Sequence, residues 1–297
     1  MARKRGGGGG RQRARQRAQY DELDKYPVMP PHAFARIVRD KQTLNIIYQI
    51  IEPPLTKKEQ EQRDEIMDIF IRSLTANIEE IDSNPEAYVR TAMDKVIKSY
   101  SMKINKKSKS KLFYYLRRDL IGYGKMDVLM NDVNVEDISL DGTNIPIFAY
   151  HRKFESVETT CVWETDDELE SYVIKLAQRC GKHISVAEPL LDATLMDGSR
   201  IVMKLGHEIS TRGSAFCIRR FKDDPFSPAD IVAFRTMSSL MVAYLWIAFQ
   251  NEVPMLFVGG TASGKTTTLN AMCIFIPWQM KIVSIESTRE VNIPQPN

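Results

Sequence analysis

The sequence predicts an α/β protein built from several domains. Its 297 residues are 43% hydrophobic and 27% charged, which is typical of a globular protein with about two domains. Helical apolar spacing dominates the first part of the chain, and short β-type runs follow it. A Gly-rich loop then stands between a predicted strand and a predicted helix. We expect an N-terminal helical bundle, a central α+β domain and the beginning of a P-loop domain with a parallel sheet.

Residues 1–19 form a Gly/Arg tail. They contain seven basic side chains and no acidic one, whereas the whole chain has a net charge of only +3. Such a composition cannot bury a core, so we expect the tail to be disordered. A solvated extension is the simplest interpretation. Binding to nucleic acid or anionic lipid is the alternative.

Residues 20–123 are predicted to form a helical module of three helices. Thr56 and Glu59 make a capping box before an apolar stripe, and Pro85 suits the first turn of the second helix. The third helix is expected to begin within a lysine cluster: Lys103, Lys106, Lys107, Lys109 and Lys111. A solvated charge run is the first interpretation of this cluster, and contact with an anionic membrane surface is the alternative.

Residues 124–225 have the pattern of a compact α+β domain. Four short β-type runs precede a capping box, Thr165 and Glu168, which opens a helix that ends at Gly181. Further β-type runs follow. Prolines then mark a predicted linker at residues 226–232, and the P-loop domain is expected to occupy residues 233–297.

Residues 259–266 match the phosphate-binding pattern G-x-x-x-x-G-K-[ST] at every fixed position. A buried strand is predicted at 255–258 and a helix after the loop. In that order, backbone N–H groups and the helix dipole form an anion cradle. Lys265 can reach the β- and γ-phosphates, and the Thr266 hydroxyl can ligate Mg²⁺. The predicted nucleoside triphosphate site comprises Gly259, Gly260, Thr261, Ala262, Ser263, Gly264, Lys265, Thr266 and Thr267.

Several other sites are disfavoured by the sequence. The four cysteines lie far apart without a C-x-x-C pair, which indicates reduced structural thiols in a cytosolic protein rather than zinc ligands or disulfides. The charge-free run at 236–251 is too short and too polar to span a bilayer. With no apolar signal segment near the N-terminus, we expect any membrane association to be peripheral.

The sequence contains little of a P-loop domain beyond the loop itself. Only one further strand is predicted, at 281–286, and the acidic Walker B residue is expected beyond Asn297. We therefore interpret the sequence as the N-terminal part of a longer enzyme, and expect this chain alone not to hydrolyse ATP.

Motifs from about residue 110 to the end resemble the archaeal secretion ATPases related to type II and type IV secretion motors, nearest to archaellum motor and pilus-assembly ATPases. Besides the loop, they are residues 121–125, 136–139, 176–185, 189–195, 197–200 and 218–221. The resemblance implies a homo-hexameric ring with ATP and Mg²⁺ between the α+β domain and a RecA-like domain. It also implies a polytopic membrane platform protein and pilin or archaellin as partners, at the cytoplasmic face of the membrane.

The resemblance also suggests catalytic residues. Glu286 takes the position of a carboxylate that orients the attacking water, although Ser287 stands where the family usually has Asp. Arg200, Arg219 and Arg220 are candidates for stabilising the transferred phosphoryl group. Because side chains alternate along a strand, Arg219 and Arg220 should point in opposite directions, and the sequence leaves open which one faces the nucleotide.

Two other functions compete with the motor. A nucleic-acid-associated P-loop ATPase would use the Arg-rich tail, although the match through the α+β domain argues against it. The second competing function is a chain that binds nucleotide without hydrolysing it.

Overall fold

The computed structural model describes residues 19–73, 84–221, 225–260, 263–286 and 291–293. Within these ranges the strands are β1 Tyr20–Met29, β2 Ala33–Asp40, β3 Ile46–Ile51, β4 Val135–Leu140, β5 Pro146–His151, β6 Glu155–Val162, β7 Leu190–Thr194, β8 Arg200–Lys204 and β9 Ala215–Arg219. They form one sheet in the order β1-β2-β3-β6-β5-β4-β9-β8-β7. Only β3 and β6 are parallel neighbours among these strands. The α/β fold class is confirmed.

The helices fall into three groups along the chain. Their bounds are α1 Lys57–Ser73, α2 Pro85–Ser99, α3 Lys106–Leu120, α4 Asp127–Asn131, α5 Asp166–Arg179, α6 Pro228–Ala233, α7 Ser239–Gln250 and α8 Lys265–Cys273. The first three form a bundle, α4 and α5 pack on the sheet, and α6 to α8 form a small cluster that contains the loop region.

The helical prediction is wrong for residues 20–51, which form β1, β2 and β3. Along β2, the buried residues Ala33, Ala35 and Ile37 follow the period of two that a strand requires. Over so short a segment that pattern is hard to distinguish from a helical one. The three strands pair mainly with one another as antiparallel neighbours, and β3 also joins the distant β6 at Ile47↔Glu158.

The three predicted helices between β3 and β4 are confirmed. They pack around a shared core that includes Ile66, Met93 and Leu112. The capping box at the start of α1 is formed as predicted: the Thr56 N–H donates to Glu59 at 2.8 Å, and the Glu59 N–H donates to the Thr56 hydroxyl. With the Ser108 hydroxyl also donating, these bonds lower the pKa of Glu59 to about 2.

One face of the sheet is covered by α4 and α5. Leu169 and Val173 of α5 contact the buried side of the strands around Ile138 and Ile201, and Trp163 closes the same core. The Thr165 side chain caps α5 by accepting the Glu168 N–H, as the capping pattern predicts. The other face carries exposed side chains, among them Phe148 and Tyr150 of β5 and Arg219 of β9, so the two faces of the sheet differ in exposure.

A buried hydrogen-bond network joins the N-terminal strands to the rest of the sheet. The Asp132 carboxylate accepts the hydroxyls of Tyr26 on β1 and Tyr48 on β3, each at 2.6 Å. The Lys153 N–H donates to His151 Nδ1, so Nε2 carries the proton and donates to the Tyr26 oxygen at 3.0 Å. Burial and the Asp132 charge raise the pKa of both tyrosines well above its ordinary value.

The region after the sheet departs from the prediction in two ways. Within the predicted linker, residues from Pro228 form α6, because Ser227 and Asp230 make a capping box. The strand predictions at 255–258 and 281–286 are wrong: neither segment is assigned to a strand in the described part of the chain. A strand needs a hydrogen-bonded neighbour, and alternating residues such as Leu256 and Ile285 are exposed instead. None of the helices in the described ranges combines the length and apolarity needed to cross a bilayer.

We expect Tyr48→Phe to lower the free energy of unfolding by about 1.5–3 kcal/mol, because it removes a buried hydrogen bond to a charged group. Tyr150→Phe is the matched control, since Tyr150 is 44% exposed on the open face of the sheet. Urea denaturation of the two variants and the parent chain measures the difference. Equal stability of the two variants would show that the Asp132 network does not hold β3 in place.

Candidate nucleotide-binding site

The phosphate-binding loop leads directly into α8. Gly264 precedes the helix with φ of 85°, a left-handed conformation that glycine adopts without strain. Lys265 is the first residue of α8, and its first turn contains no acidic side chain. The first N–H groups of a helix lack intrahelical partners, so they and the helix dipole offer an unopposed site for an anion. These features fit a bound phosphate.

The loop closes on the carbonyl of Gly260. That oxygen accepts the Ser263 hydroxyl at 2.8 Å and the Lys265 ammonium. A Cβ added to Gly259 would lie 2.5 Å from Ser263 Oγ, so glycine is needed there for this closure. Lys265 is thus held against the loop that it is predicted to serve. Thr261 and Ala262 lie outside the described residues.

The predicted metal ligand lies in the same turn. Thr266 and Thr267 are half-buried in the first turn of α8. A hydroxyl at this position can supply one oxygen to Mg²⁺, with phosphate oxygens supplying others. The described ranges contain no group of three or more His, Cys, Asp or Glu side chains that could hold a metal ion by themselves.

Glu286 belongs to the same structural unit as α8. Its carboxylate accepts the Val291 N–H at 2.9 Å, and the next N–H, of Asn292, donates to Asn270 on α8 at 3.1 Å. The chain after Glu286 therefore returns to the helix that begins at the phosphate-binding loop. Ser287 lies outside the described residues.

Arg200 and Arg219 lie opposite each other on the open face of the sheet, on neighbouring strands β8 and β9. Arg200 contacts both carboxylate oxygens of Asp192, at 3.2 and 2.7 Å. Arg219 Nε contacts Asp137 at 3.3 Å, and its side chain is 70% exposed. Both guanidinium groups are thus accessible, in ion pairs that water screens. Asp137 and Asp192 were not identified from the sequence, because only the strand register brings them to the arginines.

Arg220 has a different environment from Arg219. It is half-buried, and its guanidinium donates to the backbone carbonyls of Asp132 and Val135. This agrees with the prediction that the two arginines point in opposite directions. The Arg220 contacts tie the end of β9 to the segment before β4, next to the Tyr26 and Tyr48 network. Its surroundings indicate a structural role, whereas Arg200 and Arg219 form ion pairs on the open face of the sheet.

Comparisons with known proteins identify one family model and several relatives that match this chain. A family model described as Type II/IV secretion system protein matches residues 153–297. The uncharacterized protein MJ0900 of Methanocaldococcus jannaschii is 34% identical over 276 residues, which are 92% of this chain and 49% of that protein. The type IV secretion system protein VirB11 of Bartonella henselae is 25% identical over 177 residues, covering 48% and 49% of the two chains.

A solved structure, the VirB11 ATPase of Brucella suis in complex with sulphate, aligns at 21% identity over 58% of each chain, with a TM-score of 0.32. The chain spans about half the length of the two curated relatives described above.

We expect Arg220→Ala to destabilise the fold by about 1–3 kcal/mol, because the carbonyls of Asp132 and Val135 each lose a charged donor, although the Asp132 carbonyl keeps the Val135 N–H. Arg219→Ala removes the same side chain from an exposed position and should change stability by less than about 0.5 kcal/mol. Chemical denaturation of the two variants measures this. If Arg219→Ala proved the more damaging of the two, the structural role assigned to Arg220 would be wrong.

Proposed function

We propose that this chain, whose residues 153–297 match the model of the type II/IV secretion system protein family, is the ATP-binding and ATP-hydrolysing subunit of a secretion-type motor. In this proposal six copies form a ring at the cytoplasmic face of the membrane. The ring works with a polytopic membrane platform protein and drives assembly of an archaellum or a type IV-like pilus. The similarity to a relative named as a type IV secretion system protein supports the class of machine.

The observation that carries the nucleotide assignment is the left-handed Gly264 immediately before the helix that begins with Lys265. This arrangement leaves the first N–H groups of α8 next to the Lys265 side chain, and both kinds of donor can bind phosphate. Lys265 would exchange its bond to the Gly260 carbonyl for the β- and γ-phosphates. The Thr266 hydroxyl would hold Mg²⁺, which neutralises phosphate charge when bound.

Hydrolysis requires a group that orients water and a positive charge that stabilises the transferred phosphoryl group. Glu286 fits the first role, since its carboxylate lies in the unit built on α8. Arg200 and Arg219 fit the second role from the α+β domain, because both are accessible and on the same sheet face. A phosphate would compete with Asp192 and Asp137 for these guanidinium groups. Domain closure could thereby be linked to the presence of the γ-phosphate.

We expect Lys265→Ala to weaken binding of a fluorescent ATP analogue by this chain at least tenfold, which is a loss of ~1.4 kcal/mol. Lys281→Ala is the matched control, because it removes one exposed lysine from the same region of the chain. Equilibrium titration of both variants measures the affinities. Parent-like affinity in Lys265→Ala would refute the nucleotide site.

We expect Glu286→Gln to leave ATP binding within about twofold of the parent, but to slow turnover at least tenfold, or by ~1.4 kcal/mol in the barrier. The amide keeps an oxygen for the Val291 N–H but cannot accept a proton from water. Phosphate release by the assembled enzyme measures turnover, and Glu252→Gln, an exposed neighbour of α7, is the control. Unchanged turnover would show that Glu286 is not the catalytic base.

A further inference from the structure

One end of the helical bundle carries a set of lysines that the nucleotide site does not use. Five of them are exposed where α2 ends and α3 begins, and we call them the lysine rim: Lys95, Lys98, Lys103, Lys106 and Lys107. Two neighbouring lysines are engaged within the bundle. Lys109 binds Asp94 at 2.7 Å, and Lys111 binds the Pro54 carbonyl at 2.8 Å. The rim lysines, in contrast, form no ion pair within the described part of the chain.

The positive charge of the rim is not balanced by acidic residues within its own stretch of sequence. The sequence contains no acidic residue from Lys95 to Arg118. Lys106 and Lys107 stand in the first turn of α3, which contains no acidic residue of its own and is capped by Asn105. The Glu59 carboxylate of α1 also reaches this turn, where it accepts the Ser108 hydroxyl at 2.7 Å. Lysines at a helix N-terminus oppose the helix dipole and reduce stability. Side chains that oppose a helix dipole in this way are expected where a surface serves a partner.

The rim also has an amphipathic side chain at its centre. Tyr100 follows α2, between Lys98 and Lys103, and is 58% exposed. A tyrosine with an exposed ring and a polar hydroxyl is typical of side chains that settle at the headgroup level of a bilayer. Lysine ammonium groups around it would reach lipid phosphates on their flexible stems.

We propose that the lysine rim with Tyr100 is the surface by which this protein docks on an anionic lipid bilayer. This rests on the proposed function, which places the motor at a membrane, and assigns the contact to defined residues. The rim consists only of lysines, which bind as point charges, and lacks the forked arginines favoured for specific phosphate recognition. It presents one exposed aromatic ring rather than the row of stacking platforms typical of single-stranded nucleic-acid binding. A diffuse negative surface therefore matches it better than DNA or RNA.

The experiment uses two lysine pairs that occupy the same place in different helices. The double variant Lys106→Gln and Lys107→Gln removes rim charge from the first turn of α3. The control variant, Lys57→Gln and Lys58→Gln, removes two exposed lysines from the first turn of α1 in the same bundle. Co-sedimentation of the full chain is measured with vesicles of phosphatidylcholine alone or mixed with phosphatidylglycerol.

The parent chain is expected to bind only the mixed vesicles, with binding that weakens as salt rises. Each lysine near such a surface contributes about fivefold, so the rim variant should bind about 25-fold more weakly while the control stays within about twofold. Because its lysines oppose the dipole of α3, the rim variant should keep the parent's melting temperature or exceed it. The melting temperature therefore distinguishes a variant that has lost its membrane contact from one that has unfolded.

Three outcomes would overturn the proposal: equal loss in both variants, parent-like binding by the rim variant, or binding that depends on residues 1–19 alone. If the rim variant lost binding to duplex DNA but kept its binding to vesicles, nucleic acid would be favoured as the partner of the lysine rim. The assay contains no nucleotide. Failure of the lysine rim therefore leaves the ATP-binding test at Lys265 untouched, and failure of that test leaves the vesicle result standing.

Discussion

The hydrogen bonds to the buried carboxylate of Asp132 are the interaction on which the fold of this chain depends. A carboxylate removed from water must be satisfied by donors, and here they come from distant parts of the chain, Tyr26 and Tyr48. The backbone carbonyl of the same residue accepts Arg220, at the point where the chain leaves the sheet. One residue after α4 thereby fixes the first strands, the middle of the sheet and the exit towards the nucleotide-binding region.

The sidedness of the sheet explains how neighbouring residues acquire different roles. Helices cover one face, so every second side chain of β9 is buried among apolar residues, while Arg219 projects to the open face beside Arg200. Arg220 follows the end of the strand and turns back to backbone carbonyls. The strand thus provides an accessible arginine for a ligand and a structural one for the fold, and the phosphate-binding loop adds its lysine from a separate helical cluster.

Features that depend on nearby residues could be predicted from the sequence. The Thr56–Glu59 box, the three bundle helices and the glycine turn before Lys265 all follow from patterns a few residues long. The strands at 20–51 were not predicted although β1, β2 and β3 are near neighbours in sequence, because apolar runs this short do not distinguish a strand from a helix. The partners of Arg200 and Arg219 depend on strand register, which no local pattern contains. Local patterns can also predict too much. Residues 255–258 and 281–286 have the apolar pattern of strands but form none, because a strand also needs a hydrogen-bonded neighbour.

The parallel pairing of β3 with β6 has a consequence for biosynthesis. Strand β3, which contains Tyr48, can pair with β6 only after Thr159 has left the ribosome. The whole helical bundle is synthesised between these two strands. At bacterial-type rates of about 5–20 residues per second, the delay is on the order of ten seconds. During that time the edge of β3 is open to other nascent chains, so slow translation between the bundle and β6 would favour aggregation, and a chaperone that shields the edge would favour the native sheet.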